Sequence, residues 1–237
     1  MASSEQGRYL VSFNDRASAA ICRIEYGVQF YNGFLCEFSR AVPDYHIYAI
    51  LTSSDICEHI EDSWVQFGKS IRKRSISSIS SRTPKPFQDF PILTYIELKK
   101  QSISQILNIG RQFLKCSAMP PKIGDDIILT QIPYLSPFEY LQISSGTIED
   151  LDNLKGSIKH SAQTFQGCQG APITNKQGEV VAVQMQEKSH EDSQGSNFYG
   201  MMIIQAITSE PGFDLVPEHQ PHQAQNGNGT RDIINVQ

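Results

Sequence analysis

Residues 164–172 read Thr-Phe-Gln-Gly-Cys-Gln-Gly-Ala-Pro, and most of the chain's reactive potential is concentrated there. Gly167 and Gly170 bracket Cys168 and Gln169. Glycines this close allow a positive-φ turn whose amide N–H groups converge on one point, as an anion pocket requires. Cys168 offers a thiol, which attacks only as a thiolate and therefore needs a depressed pKa or a neighbouring base. Such a base would have to come from His46, His59 or His160, and each also reads as an ordinary surface or core residue. Gln169 cannot ionise. His219 and His222 lie in a polar stretch without further ligands, so no metal and no cofactor is expected.

Pro172 ends the glycine loop, Asn175-Lys176-Gln177-Gly178 is turn chemistry, and Val180, Val181, Val183 and Met185 form a β-rich run. Loop, short strand, turn and strand in this order resemble the nucleophile loop of the trypsin-like (chymotrypsin-fold) serine peptidases, where Gly-x-Ser-Gly-x-Pro precedes a hairpin. Aligned on Gly167, Gly170 and Pro172, Gln169 falls at the serine position and Cys168 one place early. Two further stretches carry the resemblance. In YAILTSSDI the family's Leu-Thr-x-x-His pattern has Asp55 in place of the histidine. In DFPILTYIEL, Asp89 matches the aspartate that orients that histidine, with no imidazole left to orient. The resemblance spans residues 15–207 and implies an all-β fold of two six-stranded β-barrels with a cleft between them.

The elements that must hold these residues read as many short strands. Ala17 to Glu25 and Gly33 to Phe38 form a hairpin with turn signals at Tyr26-Gly27 and Tyr31-Asn32-Gly33, and His46 to Leu51 and Ser63 to Phe67 are strands. Lys69 to Pro86 reads as an exposed Ser- and Pro-rich loop, either simply solvated or a docking or phosphorylation segment: Arg72 and Arg74 each stand three residues before a serine, Ser75 and Ser77, which would make Arg72 to Ser77 a kinase contact. Ser102 to Cys116 is the inter-barrel connection, helical in part and broken at Gly110. Ile127 to Pro133, Phe138 to Ile148 (bent at Gly146) and Ile158 to Thr164 continue the second barrel, and Asn197 to Ile207 is a last strand running into a C-terminal helix. The organisation is a polar segment over 1–14, a first barrel over about 15–100, a second over about 117–207, and a disordered tail over 208–237.

Composition excludes several classes. The 237 residues are 39% hydrophobic and 19% charged, with a net charge of −5, so there is no global drive toward nucleic acid or anionic membrane. No secretory leader or membrane-length apolar run is present, which places the expected location in the cytoplasm. Five cysteines without CxxC spacing suit reduced core thiols. Three functions follow as expectations. The first is a pseudoprotease, a peptidase-like module that binds protein or peptide in the inter-barrel cleft at Gly167, Cys168, Gln169 and Gly170 without hydrolysing it. The second is a rewired cysteine hydrolase using Cys168, and the third a scaffold for the basic loop and tail.

Overall fold

In the computed structural model, residues 16–40, 46–67, 72–133, 141–165, 167–185, 198–209 and 213–214 are described. The first half is a sheet of short antiparallel strands. β1 (Ile21–Tyr26) buries Ile21, Cys22 and Ile24 and leaves Arg23, Glu25 and Tyr26 more exposed, and it pairs with β2 (Gln29–Arg40) through a turn at Gly27 and Val28. β3 (His46–Ser53), β4 (Trp64–Phe67), β5 (Arg74–Ser75), β6 (Lys85–Pro86) and β7 (Leu93–Glu97) complete the order β5-β4-β1-β2-β3-β7-β6. Phe34, Leu35, Ile50, Leu51, Ile96 and their neighbours form its core.

Several local expectations change. Residues 16–20 are helical, so the first strand starts at Ile21, not Ala17. The Tyr31-Asn32-Gly33 turn does not form: these residues lie mid-strand in β2, paired with Ile24, Arg23 and Cys22. Gly33 is there for space, since a Cβ would come within 3.0 Å of both Ile24 and Ile50. The basic stretch is not an open loop. Ile76 and Ile79 are buried and fold it into β5 and a short helix α1 (Ile76–Ile79), leaving Arg72 and Ser77 exposed and Ser75 half-buried. Residues 68–71 lie outside the described residues, as does the expected segment 1–14.

Helix α2 (Lys100–Asn108) follows β7, Gly110 ends it with φ 76°, and β8 (Leu114–Lys115) runs parallel to β2. Cys116 then bridges Val180, and the Ser117 N–H donates to the Val180 carbonyl at 2.9 Å, so the connection is hydrogen-bonded to both halves. The second half is a closed barrel in the order β10-β11-β14-β13-β12-β9, from β9 (Asp126–Gln131), β10 (Gln142–Asp152), β11 (Ser157–His160), β12 (Pro172–Thr174), β13 (Val180–Met185) and β14 (Phe198–Met202). Ile127, Leu129, Ile158, Ile173 and Ala182 fill it. The expected strand at Phe138 starts, among the described residues, at Gln142.

The chain thus has the all-β double-barrel architecture, the second barrel closed and the first an open sheet among the described residues. The C-terminal helix α3 (Ile203–Ser209) is present, with Ile203, Ala206 and Ile207 buried. It carries order beyond residue 207, and β15 (Phe213–Asp214) pairs with Ser39 and Arg40 of β2, so the expected disorder from Thr208 gives way to packed chain over these residues. The rest of the tail, with His219 and His222, lies outside the described residues. No helix among the described residues is long and apolar enough to cross a membrane.

Candidate functional site

The end of β3 brings the first barrel to the site. Ser53 is buried and caps a 3-10 segment, Ser54–Asp62, its Oγ accepting from the Asp55 N–H at 3.4 Å, which is the ordinary use of serine at a helix start. That cap sets Asp55 in the first turn with an exposed side chain. From the second barrel the glycine loop presents Gln169, whose Nε2 donates to Asp55 Oδ2 at 2.7 Å and to Ser53 Oγ at 2.9 Å. Both amide hydrogens are thereby committed to the first barrel.

The loop's shape comes from Gly167 (φ 80°) and Gly170 (φ 87°). Gly170 also lies against β2: a Cβ there would sit 2.0 Å from the Asn32 carbonyl oxygen and 2.8 Å from Thr52 Oγ1. The Gly170 N–H donates to the Gln184 carbonyl and the Gln184 N–H to the Ala171 carbonyl, both at 2.8 Å, tying the loop to β13. Among the described residues the peptide N–H groups of Gly167 and Gln169 find no intramolecular acceptor, whereas the Cys168 N–H turns inward to the Phe165 carbonyl at 3.2 Å. Two loop amides are thus left without an acceptor among the described residues.

Among the described residues Asp89 makes no hydrogen bond or ion pair to Asp55 or Gln169. It is exposed in the turn before β7, where the Phe87 N–H donates to the Leu93 carbonyl, and together with Ile92 it lines a groove with Asn153, Lys155, Gln205 and Ser209. The β3–β7 register pairs Ser53 with Leu93, and the Ser54 N–H donates to the Ile92 carbonyl at 2.9 Å. Ile92, not Asp89, is the residue that the ladder places beside Asp55. The three-residue offset was invisible in the sequence because Phe90 and Pro91 extend the turn without altering the strand pattern.

Cys168 is a core thiol. It is 2% exposed, its Sγ faces the Ile132 carbonyl at 4.0 Å, and burial pushes its pKa up to about 12, with a backbone hydrogen bond from Phe165 working the other way. None of the three histidines serves it. His46 pairs through Nδ1 with Glu37 at 2.9 Å, at the opposite end of β3 from Ser53; His59 stacks on Tyr26 with ring centroids 3.9 Å apart; and buried His160 bonds Gln184 Oε1 at 2.8 Å. A buried thiol with a raised pKa and no base is the reverse of an activated nucleophile.

Asn32 escaped the sequence reading and is the centre of the arrangement. It is 1% exposed. Its Nδ2 donates to the Ile132 carbonyl at 3.0 Å and the Gly167 carbonyl at 2.7 Å, and its Oδ1 accepts from the Ile132 N–H at 2.7 Å. Its own N–H donates to the Gln169 carbonyl at 2.8 Å and its carbonyl accepts from Thr52 Oγ1 at 2.7 Å. One side chain thus joins β2 to the end of β9 and to the glycine loop. Only its placement before Gly33 hinted at a role, and Asn-Gly is normally a turn signal. Next to it, burial and then the Asp55 charge hold the Tyr31 phenol above its ordinary range.

No protein-family model matches the sequence, and a search among curated proteins finds no match either. Solved structures do resemble it. The Rv3671c protease of M. tuberculosis H37Rv in its inactive form matches with a TM-score of 0.58 at 13% identity, covering 86% of this chain and 93% of that one. Deg5 matches with a TM-score of 0.57 at 14% identity, covering 88% and 95%. The serine endoprotease from Yersinia pestis matches at 0.61 and 14%, covering 88% of this chain and 66% of the other. Identities this low speak to architecture alone, and together with the closed barrel, the glycine loop and the meeting of Asp55 with Gln169 they settle it: the chain has the fold of the trypsin-like serine proteases.

Proposed function

We propose that this protein is a hydrolytically inert protease-fold module that binds an extended peptide or peptide C-terminus in the cleft between its barrels. The observation that carries the reading is the 2.7 Å hydrogen bond from Gln169 Nε2 to Asp55 Oδ2. It joins the two positions that would have to supply nucleophile and base, with groups that do neither. Acyl transfer needs a deprotonatable nucleophile with a base beside it, and loss of one such member from a triad costs roughly 10⁴ to 10⁶ in rate. Here both are replaced, and Ile92 stands beside them where an orienting carboxylate would help. What the loop keeps is the ability to donate. The peptide N–H groups of Gly167 and Gln169, without an acceptor among the described residues, suit a carbonyl or carboxylate oxygen, a mode of peptide capture that needs no chemistry.

The test has two arms. Purified protein should show no turnover of a mixed peptide substrate pool, while Asp55→His with Gln169→Ser and Ile92→Asp should gain measurable hydrolysis; turnover by the unmodified protein refutes inertness. In the second arm, a fluorescent degenerate decapeptide pool with free C-termini should bind by anisotropy more tightly than its C-terminally amidated counterpart. Absence of binding to both pools would remove the binding role while leaving the inertness standing.

A further inference from the structure

Cys36 and Cys116 are 80 positions apart in sequence, yet their sulfur atoms are 3.1 Å apart. The pairing follows from topology. Cys36 lies in β2, fully buried, and β8 runs parallel to it with Cys36 opposite Leu114, so the chain reaches Cys116 two residues further on. Cys116 is half-buried and is itself bridged to Val180 of β13. The two sulfurs therefore meet where the inter-barrel connection passes from the first sheet to the second barrel. None of the other three cysteines contacts a second sulfur among the described residues: Cys57 faces Thr94 Oγ1 at 3.3 Å, and Cys22 and Cys168 are buried.

From this juxtaposition we infer that Cys36 and Cys116 are a disulfide-forming pair, a covalent clamp between β2 and the inter-barrel connection that is closed by an oxidant of the peroxide class. The sulfurs are about 1 Å farther apart than in a formed bond, a gap that small side-chain rotations span. In the first step the more exposed Cys116 sulfur attacks a peroxide oxygen, the O–O bond breaks, and the thiol proton leaves with the departing hydroxide as water, giving a sulfenic acid. The Cys36 sulfur then attacks the Cys116 sulfur, the S–O bond breaks, and the Cys36 proton leaves with that hydroxide as a second water. Two thiols are oxidised and one peroxide is reduced to two waters. Burial, reinforced by the contact with Cys116, holds the Cys36 thiol well above its ordinary pKa, so the more exposed Cys116 meets the oxidant first.

The bond would act on the candidate site through β2. Cys36 and Asn32 lie four residues apart on that strand and so share a face, and Asn32 makes the contacts to Gly167 and Gln169. Closing Cys36 to Cys116 would restrain the strand on which the glycine loop is seated.

The experiment uses the full chain, reduced and then exposed to hydrogen peroxide, blocked with N-ethylmaleimide and digested without reductant for mass spectrometry. The expected product is a Cys36–Cys116 linked peptide in the monomer, two hydrogens lighter than its parts, with at least tenfold slower digestion of the intact protein by thermolysin that a reductant reverses. Cys116→Ser and Cys36→Ala should each abolish both effects; if Cys36→Ala fails to fold, the wild-type peptide map and Cys116→Ser decide. Cys116 recovered as sulfinic acid, as an intermolecular disulfide or as unreacted thiol, with Cys36 free, would overturn the assignment.

Discussion

Replacing Asn32 by alanine tests whether one side chain seats the glycine loop on the first sheet. The substitution removes three hydrogen bonds, from Nδ2 to the Ile132 and Gly167 carbonyls and from the Ile132 N–H to Oδ1. Ile132 is 2% exposed, so its N–H loses its partner away from solvent, at roughly 1–3 kcal/mol. The two carbonyl bonds are worth about 1 kcal/mol each, giving a total loss of about 3–5 kcal/mol, or roughly 6–20 °C in Tm for a chain of this size. Urea unfolding measures it, followed by far-ultraviolet circular dichroism and by fluorescence of Trp64, the single tryptophan. Thr52→Val is the comparator: it removes only the 2.7 Å bond from Oγ1 to the Asn32 carbonyl and should cost about 1 kcal/mol. A loss below about 1 kcal/mol for Asn32→Ala, or one no larger than that for Thr52→Val, would refute the assignment of Asn32 as the inter-barrel strap.

Gly170→Ala meets both a positive φ and the Asn32 carbonyl oxygen 2.0 Å from the new Cβ, so it should destabilise by more than about 3 kcal/mol, and a thermal melt within 2–3 °C of wild type, roughly 1 kcal/mol, would show the loop is not seated as described. Buried His160 has a pKa held below its ordinary value by burial, a lowering partly offset by its bond to Gln184 and by Glu149. The unfolded chain therefore takes up this proton first as pH falls below about 6.5; the stability that a neutral His160 gives is complete above that value and is lost on acidification toward the lower folded pKa. His160→Gln should flatten this part of the stability curve, and wild-type and variant curves that run parallel between pH 5 and 7 would contradict the reading.

Much of the architecture was legible because it rests on local chemistry. Alternating apolar residues such as those of Ile21–Tyr26 must bury one face, and the turn at Asn175 to Gly178 closes on its own side chain, Asn175 Oδ1 accepting from the Gln177 and Glu179 N–H groups. The glycine loop was legible because positive φ restricts residue choice. The misreadings share a different cause. Tyr31-Asn32-Gly33 carries turn residues, but Asn32 satisfies its amide on Ile132 and Gly167, 100 and 135 positions away, and no local rule foresees partners that distant. The isoleucines of the basic stretch were similarly masked by serines and arginines around them until the sheet supplied a core for Ile76 and Ile79.

By itself, then, the sequence determined that the chain forms a strand-rich fold with a glycine-shaped donor loop, and that Gln169 within that loop carries no ionisable group. Those are properties of residue type and local backbone. Only the tertiary structure decided that Gln169 donates to Asp55 and Ser53 of the other barrel, that the Ile92 carbonyl accepts from the Ser54 N–H next to Asp55, that Cys168 is turned into the core, and that Cys36 meets Cys116. Each of these depends on strand register or on which way a side chain leaves its backbone. A register step is worth one residue in sequence but about 3.3 Å in space, enough to exchange one neighbour of a site for another.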